Sequence, residues 1–294
     1  MSYRILENKA LASGIFEMTV EAPAVARKAH AGQFFIVRAC EHGERVPFTF
    51  SDWSADEGWI RFIFMRVGKT THLLSHMTAG ESVQDIAGPL GHPTPVAVGK
   101  PWGADTSIAE GDRLVVVGGG VGTAVAYPVA RAAVEAGTRV TVIVGARTSE
   151  LLILQRELAA LDLEELIVVT DDGSAGRTGL VTEPLRELCE AGAVDRAFVV
   201  GPAIMMRFAA ATTAECGTTL PTLASLNPIM IDGTGMCGAC RIQVGGVTKF
   251  GCVDGPDFDA HLVDWEELAT RQRVYLDYEQ IAATEYERGC GCHG

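Results

Sequence analysis

Over its first hundred residues the chain alternates apolar and polar positions in short runs. Phe34-Phe35-Ile36-Val37 follows the turn pair Ala31-Gly32, and Trp59 to Met65 is aromatic and β-branched. Runs this short between turn residues predict strands, and several in series predict an antiparallel β-barrel over residues 1–98. Val67 to Leu74 breaks the alternation: a glycine and two threonines precede apolar positions, which predicts a helix start with hydroxyl caps. Asp85 to Gly91 closes the region with a tight turn. Residues 99–112 have little periodicity and are expected to be a linker. From Arg113 the period changes. A buried strand, a glycine turn and a helix over Thr123 to Ala136 are followed by a strand over Arg139 to Val144. A helix near Glu150 to Leu161, a strand Leu166 to Thr170, a helix Thr182 to Glu190 and a strand Ala197 to Val200 complete the series. Strands alternating with helices predict a parallel sheet wound on both sides over residues 113–225. The remainder, 226–294, is a glycine- and cysteine-rich segment and then one helix from about Val263 through Ala283.

Composition narrows this picture. A chain of 294 residues suits two or three domains. Its 48% hydrophobic and 21% charged residues are those of a globular protein. A net charge of −13 argues against nucleic-acid binding, which needs a basic face. No charge occurs from Leu114 to Ala130, close to the length of a membrane span. Its four glycines and Pro128 fit a strand, turn and helix better, so no membrane span is expected. The eight cysteines follow no disulfide framework and no signal segment opens the chain, which points to the cytoplasm.

The chemistry concentrates between Asp232 and Cys252. Cys237, Cys240 and Cys252 are spaced C-x2-C-x11-C among glycines. Asp232 stands where the plant-type iron–sulfur spacing C-x4-C-x2-C has its first thiolate. A 2Fe–2S cluster held by Asp232, Cys237, Cys240 and Cys252 fits if one iron accepts a carboxylate oxygen. Cys216, Cys290 and Cys292 are further candidates for the fourth ligand. A zinc site would present four Cys or His ligands, often in pairs, and this segment has three Cys and no nearby His.

Two earlier segments could hold a phosphorylated cofactor. On the strand Arg45 to Ser51, an Arg, an aromatic residue and a hydroxyl could serve a phosphate, a flavin face and a flavin nitrogen in turn. At Gly68, Lys69, Thr70 and Thr71, free helix-start amides would attract a pyrophosphate. In the middle region, Gly119, Gly120, Gly122 and Thr123 form a glycine turn that departs from the usual dinucleotide fingerprint. No acidic residue ends the second strand, where Gly145-Ala146-Arg147 stands instead. Asp171 and Asp172, and the Gly201-Pro202-Ala203-Ile204-Met205-Met206 loop, leave later strand ends, where such sheets bind ligands. Arg147 would favour a 2′-phosphate and Glu150 would oppose it, which leaves NADH and NADPH both open.

The motifs GERVPFTFSD, RVGKTTHLL, GPLG, VVVGGGVGTA, TDDGS, GPAIMMRF, SLNPIMIDGTGMCGACR and GCVDGPDFDAHLVDWEEL together resemble the ferredoxin–NADP reductase superfamily. The likeness is to its iron–sulfur branch, which includes dihydroorotate dehydrogenase electron-transfer subunits. Within that branch it resembles the small subunits of NADH-dependent reduced ferredoxin:NADP+ oxidoreductases, also described as sulfide dehydrogenase subunits. The resemblance implies a multi-domain fold: an antiparallel FAD-binding β-barrel, a parallel-sheet NAD-binding α/β domain and a small C-terminal 2Fe–2S domain. It implies FAD contacts at Arg45, Pro47, Phe48, Thr49, Met65, Arg66, Val67 and the Gly68–Thr71 segment, with Thr49 beside flavin N5 as the catalytic hydroxyl. It implies NAD(H) contacts at the glycine turn, Arg147, Asp171, Asp172, Gly201, Pro202 and Met205. One Asp and three Cys hold the cluster in this narrower group, whereas the dihydroorotate branch uses four Cys. The implied partner is a larger flavin and 4Fe–4S subunit linked to NADPH and ferredoxin in an electron-bifurcating heterodimer. The rival expectations are a dihydroorotate dehydrogenase electron-transfer subunit, a sulfide or polysulfide reductase subunit, and a redox sensor without turnover.

Overall fold

The computed structural model describes residues 2–98, 112–216 and 219–287. Most of the expected linker, and the tail carrying Cys290 and Cys292, lie outside the described residues. The first part of the chain contains β1 (Tyr3–Ala12), β2 (Ile15–Glu21), the short helix α1 (Pro23–Ala26), β3 (Phe34–Arg38), β4 (Arg45–Thr49), β5 (Asp52–Ser54), β6 (Trp59–Met65), α2 (Lys69–His76), β7 (Ser82–Val83) and β8 (Asp85–Leu90). An antiparallel β-barrel was expected here, and the strands form two antiparallel sheets, ordered β5-β6-β2-β1-β7 and β4-β3-β8. They share an aromatic core in which Phe35, Phe50 and Phe62 are fully buried, each contributing about 2 kcal/mol by burial.

Strand β3 has two buried faces. Phe35 and Val37 enter the aromatic core. Phe34 and Ile36 point the other way, against Met230, Cys240 and Cys252. The period of two along a strand makes this division, and it places the cysteine segment directly on the sheet.

The middle of the chain contains α3 (Pro95–Val98), β9 (Arg113–Gly119), α4 (Thr123–Glu135), β10 (Arg139–Ala146), α5 (Gln155–Ala159), β11 (Glu165–Thr170), β12 (Arg177–Thr178), α6 (Thr182–Glu190), β13 (Arg196–Val200), α7 (Ala203–Glu215) and β14 (Thr222–Ser225). Six parallel strands run in the order β12-β11-β10-β9-β13-β14. Val115, Val116 and Val117 on β9 are buried on both faces, which is why that strand is an unbroken apolar run. Ala126, Val129, Ala130 and Ala133 on α4 cover one face at helical spacing. The uncharged stretch from Leu114 is therefore a strand, a one-turn 3-10 segment and a helix. No helix among the described residues is long and apolar enough to cross a membrane.

The last part contains the hairpin β15 (Arg241–Val244) and β16 (Val247–Phe250), then β17 (Asp257–Asp259), α8 (Trp265–Gln272) and α9 (Leu276–Glu287). Strand β17 pairs antiparallel with β14 and becomes the seventh strand of the middle sheet.

Four expectations are corrected. The helix near Glu150 to Leu161 is a 3-10 turn over Ser149–Leu151 and the short α5, with Leu154 at φ 57° between them. Ile153 is buried in one cluster with Ile15, Ile63 and Ala124. The loop after Gly201-Pro202 is the thirteen-residue helix α7. The single C-terminal helix is two: Asp264 caps α8 by accepting the Glu266 and Glu267 amides, and the chain breaks before α9. Cys189 and Cys216 form a disulfide joining the end of α6 to the end of α7. That pairing removes Cys216 from the candidates for the fourth ligand.

Candidate functional site

A cavity of about 860 Å³ lies between the two N-terminal sheets and the carboxyl ends of the middle-sheet strands. Strand β4 contributes Val46, Pro47, Phe48 and Thr49, and β6 contributes Phe64 and Met65. Val67 and Thr71 flank the start of α2. From the middle sheet come Gly119, Gly120, Gly122, Arg147, Asp171, Gly201, Pro202 and Met205. The strand, the helix start and all three strand-end loops singled out in the sequence thus meet at one cavity.

The glycine turn meets the cavity wall for a steric reason. A Cβ on Gly122 would lie 2.5 Å from the Val200 carbonyl oxygen, so only glycine lets the turn approach β13 this closely. Gly120 has φ 56° and open space beside it, room for a ligand to approach the backbone.

Other expected residues sit elsewhere. Arg45 turns away from the cavity: its Nε donates to the Ile231 carbonyl at 2.9 Å, and its Nη1 is 3.8 Å from Asp85. Arg66 lies over the Phe16 ring at 5.8 Å. Thr123 is buried against Gly118. Asp172 accepts the backbone and hydroxyl hydrogens of Ser174, which hold its carboxyl below the usual range. At the start of α2, the Thr71 hydroxyl accepts the Val67 and Gly68 amides, each at 3.0 Å. The Thr70 hydroxyl donates to Glu44 at 2.6 Å, so this hydroxyl is engaged by a carboxylate. Gly68 and Lys69 stand at the helix start outside the cavity lining, and a Cβ on Gly68 would meet nothing within 4 Å.

The sequence reading missed Ile204, Phe208 and Leu180, apolar residues 57–58% exposed that line the cavity. Ile204 and Phe208 are one turn apart on α7. The i, i+4 apolar pair was visible in GPAIMMRF, but reading that segment as a loop hid it. Ser225 and Asn227 also line the cavity at the end of β14.

The cysteine segment lies behind β3. Cys240 and Cys252 are buried with their sulfurs 3.2 Å apart, and Cys237 is exposed. Gly233, Gly235 and Gly238 all have positive φ, which wraps the loop tightly between Asp232 and Cys240. The Asp232 carboxylate accepts the Thr234 amide at 2.9 Å and the Cys237 amide at 2.7 Å, and these bonds depress its pKa. Burial, with the Cys240 thiol beside it, pushes the Cys252 thiol up to about 12. Two buried sulfurs in mutual contact form a donor pair, and soft thiolates of this kind select iron–sulfur clusters. Among the described residues no three such side chains converge on one ion-sized point. The four donors are spread over the loop and the turn after β16, and this donor chemistry fits an iron–sulfur group.

Residues 227–264 match the iron–sulfur cluster binding domain of dihydroorotate dehydrogenase B, and residues 116–211 match the oxidoreductase NAD-binding domain. A Thermotoga maritima protein described as a dihydroorotate dehydrogenase B (NAD(+)) electron transfer subunit homolog is 42% identical, over 97% of this chain and 94% of its own. The chain belongs to the family of dihydroorotate dehydrogenase B electron-transfer subunits and their homologues. A Caldanaerobacter subterraneus electron transfer subunit of that family is 31% identical, over 90% of this chain and 98% of its own. A solved chain of NADH-dependent reduced ferredoxin–NADP oxidoreductase, studied for flavin-based electron bifurcation, is 40% identical at TM-score 0.85, with 98% of each chain covered. A Neisseria gonorrhoeae ferredoxin NADP+ reductase with bound FAD and NADP shares the fold at TM-score 0.58 and 17% identity, over 74% of this chain and 91% of its own. The protein is thus an oxidoreductase electron-transfer subunit with a ferredoxin-reductase-like fold. Both matched domain ranges coincide with the two places where its chemistry gathers, the strand-end loops and the cysteine segment.

Proposed function

We propose that this subunit passes electrons between NAD(H), FAD and a 2Fe–2S cluster, as the small partner in an electron-bifurcating NADH-dependent reduced ferredoxin:NADP+ oxidoreductase. Residues 1–98 would hold FAD, 113–225 NAD(H) and 226–294 the cluster. When bound, the flavin takes an electron pair from NADH and the cluster takes electrons singly. The observation that carries the reading is a cross-strand pair. Pro47 lines the cavity and pairs with Ile36, and Ile36 packs against Cys240 and Cys252. One strand spacing, about 5 Å, separates the cavity wall from β3, the strand against which the cysteines pack.

In this reading Phe48 forms a wall for the flavin ring and the Thr49 hydroxyl sits by the reactive nitrogen. Met65, Val67 and Thr71 bound the cofactor on its far side, and the start of α2 with Lys69, at the cavity's edge, would meet phosphates that extend past the lining. Gly119, Gly120, Gly122, Gly201, Pro202 and Met205 approach the dinucleotide with backbone and thioether. Asp171 and Arg147 flank its outer end. Positioning is the main contribution these groups make. Asp232, Cys237, Cys240 and Cys252 would ligate the cluster, and exposed Cys237 marks the side facing a larger flavin and 4Fe–4S partner.

A second reading, delivery of electrons to a dihydroorotate dehydrogenase, is favoured by the names of the relatives. The carboxylate at the first ligand position favours the bifurcating assembly instead. Anaerobic purification of the chain with whatever binds it tests both. Iron and inorganic sulfide in equal amounts, FAD bleached by NADH, and a ferredoxin- and NADPH-linked partner are expected. An orotate-forming partner would favour the second reading, and zinc in place of iron, or flavin that NADH leaves oxidised, would sink both.

A further inference from the structure

Arg45 begins the strand whose next four residues line the cavity, yet its own side chain leaves for another part of the chain. The Nε–H donates to the Ile231 carbonyl across 186 positions of sequence. Asp85, on the far strand of the same sheet, sits 3.8 Å from Nη1 and orients the guanidinium. The residue after Ile231 is Asp232, whose carboxylate gathers the amides of its own loop. The loop otherwise rests on the sheet through apolar contacts: Met230, Cys240 and Cys252 on Phe34 and Ile36, and Gly233 close to Leu90. Away from the sheet, Arg271 on α8 donates to the Ala239 carbonyl at 3.1 Å and holds the far end of the loop. Among the described residues, the Arg45 bond is the hydrogen bond that ties the Ile231–Cys240 loop to the sheet. A planar guanidinium with Asp85 as a nearby counter-charge supplies direction that a lysine cannot.

We propose that Arg45 is a positioning residue for the iron–sulfur centre, seating the Asp232 loop on β3 and β4 so that the cluster keeps a set distance from the cavity. The proposal rests on the reading that this loop carries the cluster. It replaces the expected role of Arg45 as a flavin or phosphate contact. The side chain is 33% exposed, so one charge-assisted bond of this kind alters the balance of seated and lifted loop by about tenfold.

The test uses the full chain, purified anaerobically with its cofactors. Arg45→Met keeps the aliphatic stem and removes every donor, while Arg45→Lys keeps the charge and one donor group. Iron release to EDTA is followed by loss of the cluster's visible absorbance. The expected result is release about tenfold faster in Arg45→Met than in the unaltered chain, with Arg45→Lys between them. Electrons from NADH should reach the cluster more slowly in the same order, with FAD content retained. Iron release from Arg45→Met within about twofold of the unaltered chain would overturn the proposal. So would loss of FAD with iron release unchanged, which would return Arg45 to the flavin. If the unaltered chain carries no iron, the reading of the loop fails first, and that result is seen before any variant is made.

Discussion

Asp257 is half-buried, where β17 meets β14 and, through Thr94, the segment that follows β8. The Thr94 hydroxyl donates to its Oδ2 at 2.6 Å, and Oδ1 is shielded from water. Burial pushes its pKa up to about 6, although hydrogen bonds from Thr94 and Ser225 pull the other way. A carboxyl raised in the folded state binds its proton more tightly there than in the unfolded chain. Its contribution to stability is therefore fully present below the unfolded value of 3.8 and is lost as the pH rises through about 6. A shift of this size corresponds to about 3 kcal/mol. Urea unfolding at pH 4 and pH 7 should show that loss in the unaltered chain, and Asp257→Asn should remove the slope whatever its effect at pH 4. An unchanged slope in the variant would assign the pH dependence to another group. In sequence, Asp257 is one acid among several in GCVDGPDFDAHLVDWEEL, and spacing carries no sign of burial. Arg45 teaches the same lesson: the sequence marked its strand as chemical, but strand position cannot say which way a long flexible side chain leaves.

At the scale of elements, the turn between β9 and α4 shows how much a glycine pattern conveys. Its departure from the usual dinucleotide fingerprint was plain in the sequence, and so was its ability to approach a ligand. The structure adds a second demand on Gly122, the backbone of β13. Gly122→Ala would press a methyl group against the Val200 carbonyl, which cannot rotate away as a side chain could. The turn should shift, with a loss of about 1–3 kcal/mol in stability and weaker NADH binding by calorimetry, while iron content stays unchanged. Helix α7 was hidden for the opposite reason. Gly-Pro reads as a turn, yet a proline is well suited to a helix start because its missing N–H has no intrahelical role there. The apolar residues that follow then divide between the cavity, where Phe208 is exposed, and the core, where Met206 is fully buried.

At the scale of the molecule, the cysteine segment belongs to the middle sheet as much as to itself. Ile242, Phe258, Ala260, Val263 and Leu268 share one core with Val115, Val199, Met206 and Ala224, and β17 covers the edge of β14. A chain ended after Leu226 would expose that core and leave an open strand edge, a template for association. It should be insoluble or unfold at lower denaturant than the full chain, and it should lose NADH binding as well as iron. A soluble truncated protein with unchanged NADH affinity would show that the two parts fold independently.

Local order was legible in the sequence: strands of period two before residue 98, alternating strands and helices after residue 113, a glycine turn, and cysteines spaced for iron. Each of these depends on φ preferences and side-chain periodicity among near neighbours, and such information travels along the chain. What the tertiary structure alone decided lies between residues far apart. Thr94 meets Asp257 across 163 positions and Arg45 meets Ile231 across 186. Cys189 joins Cys216, and β17 finds β14. These pairings come from the competition to bury apolar faces and satisfy polar groups in three dimensions. No local spacing records its outcome.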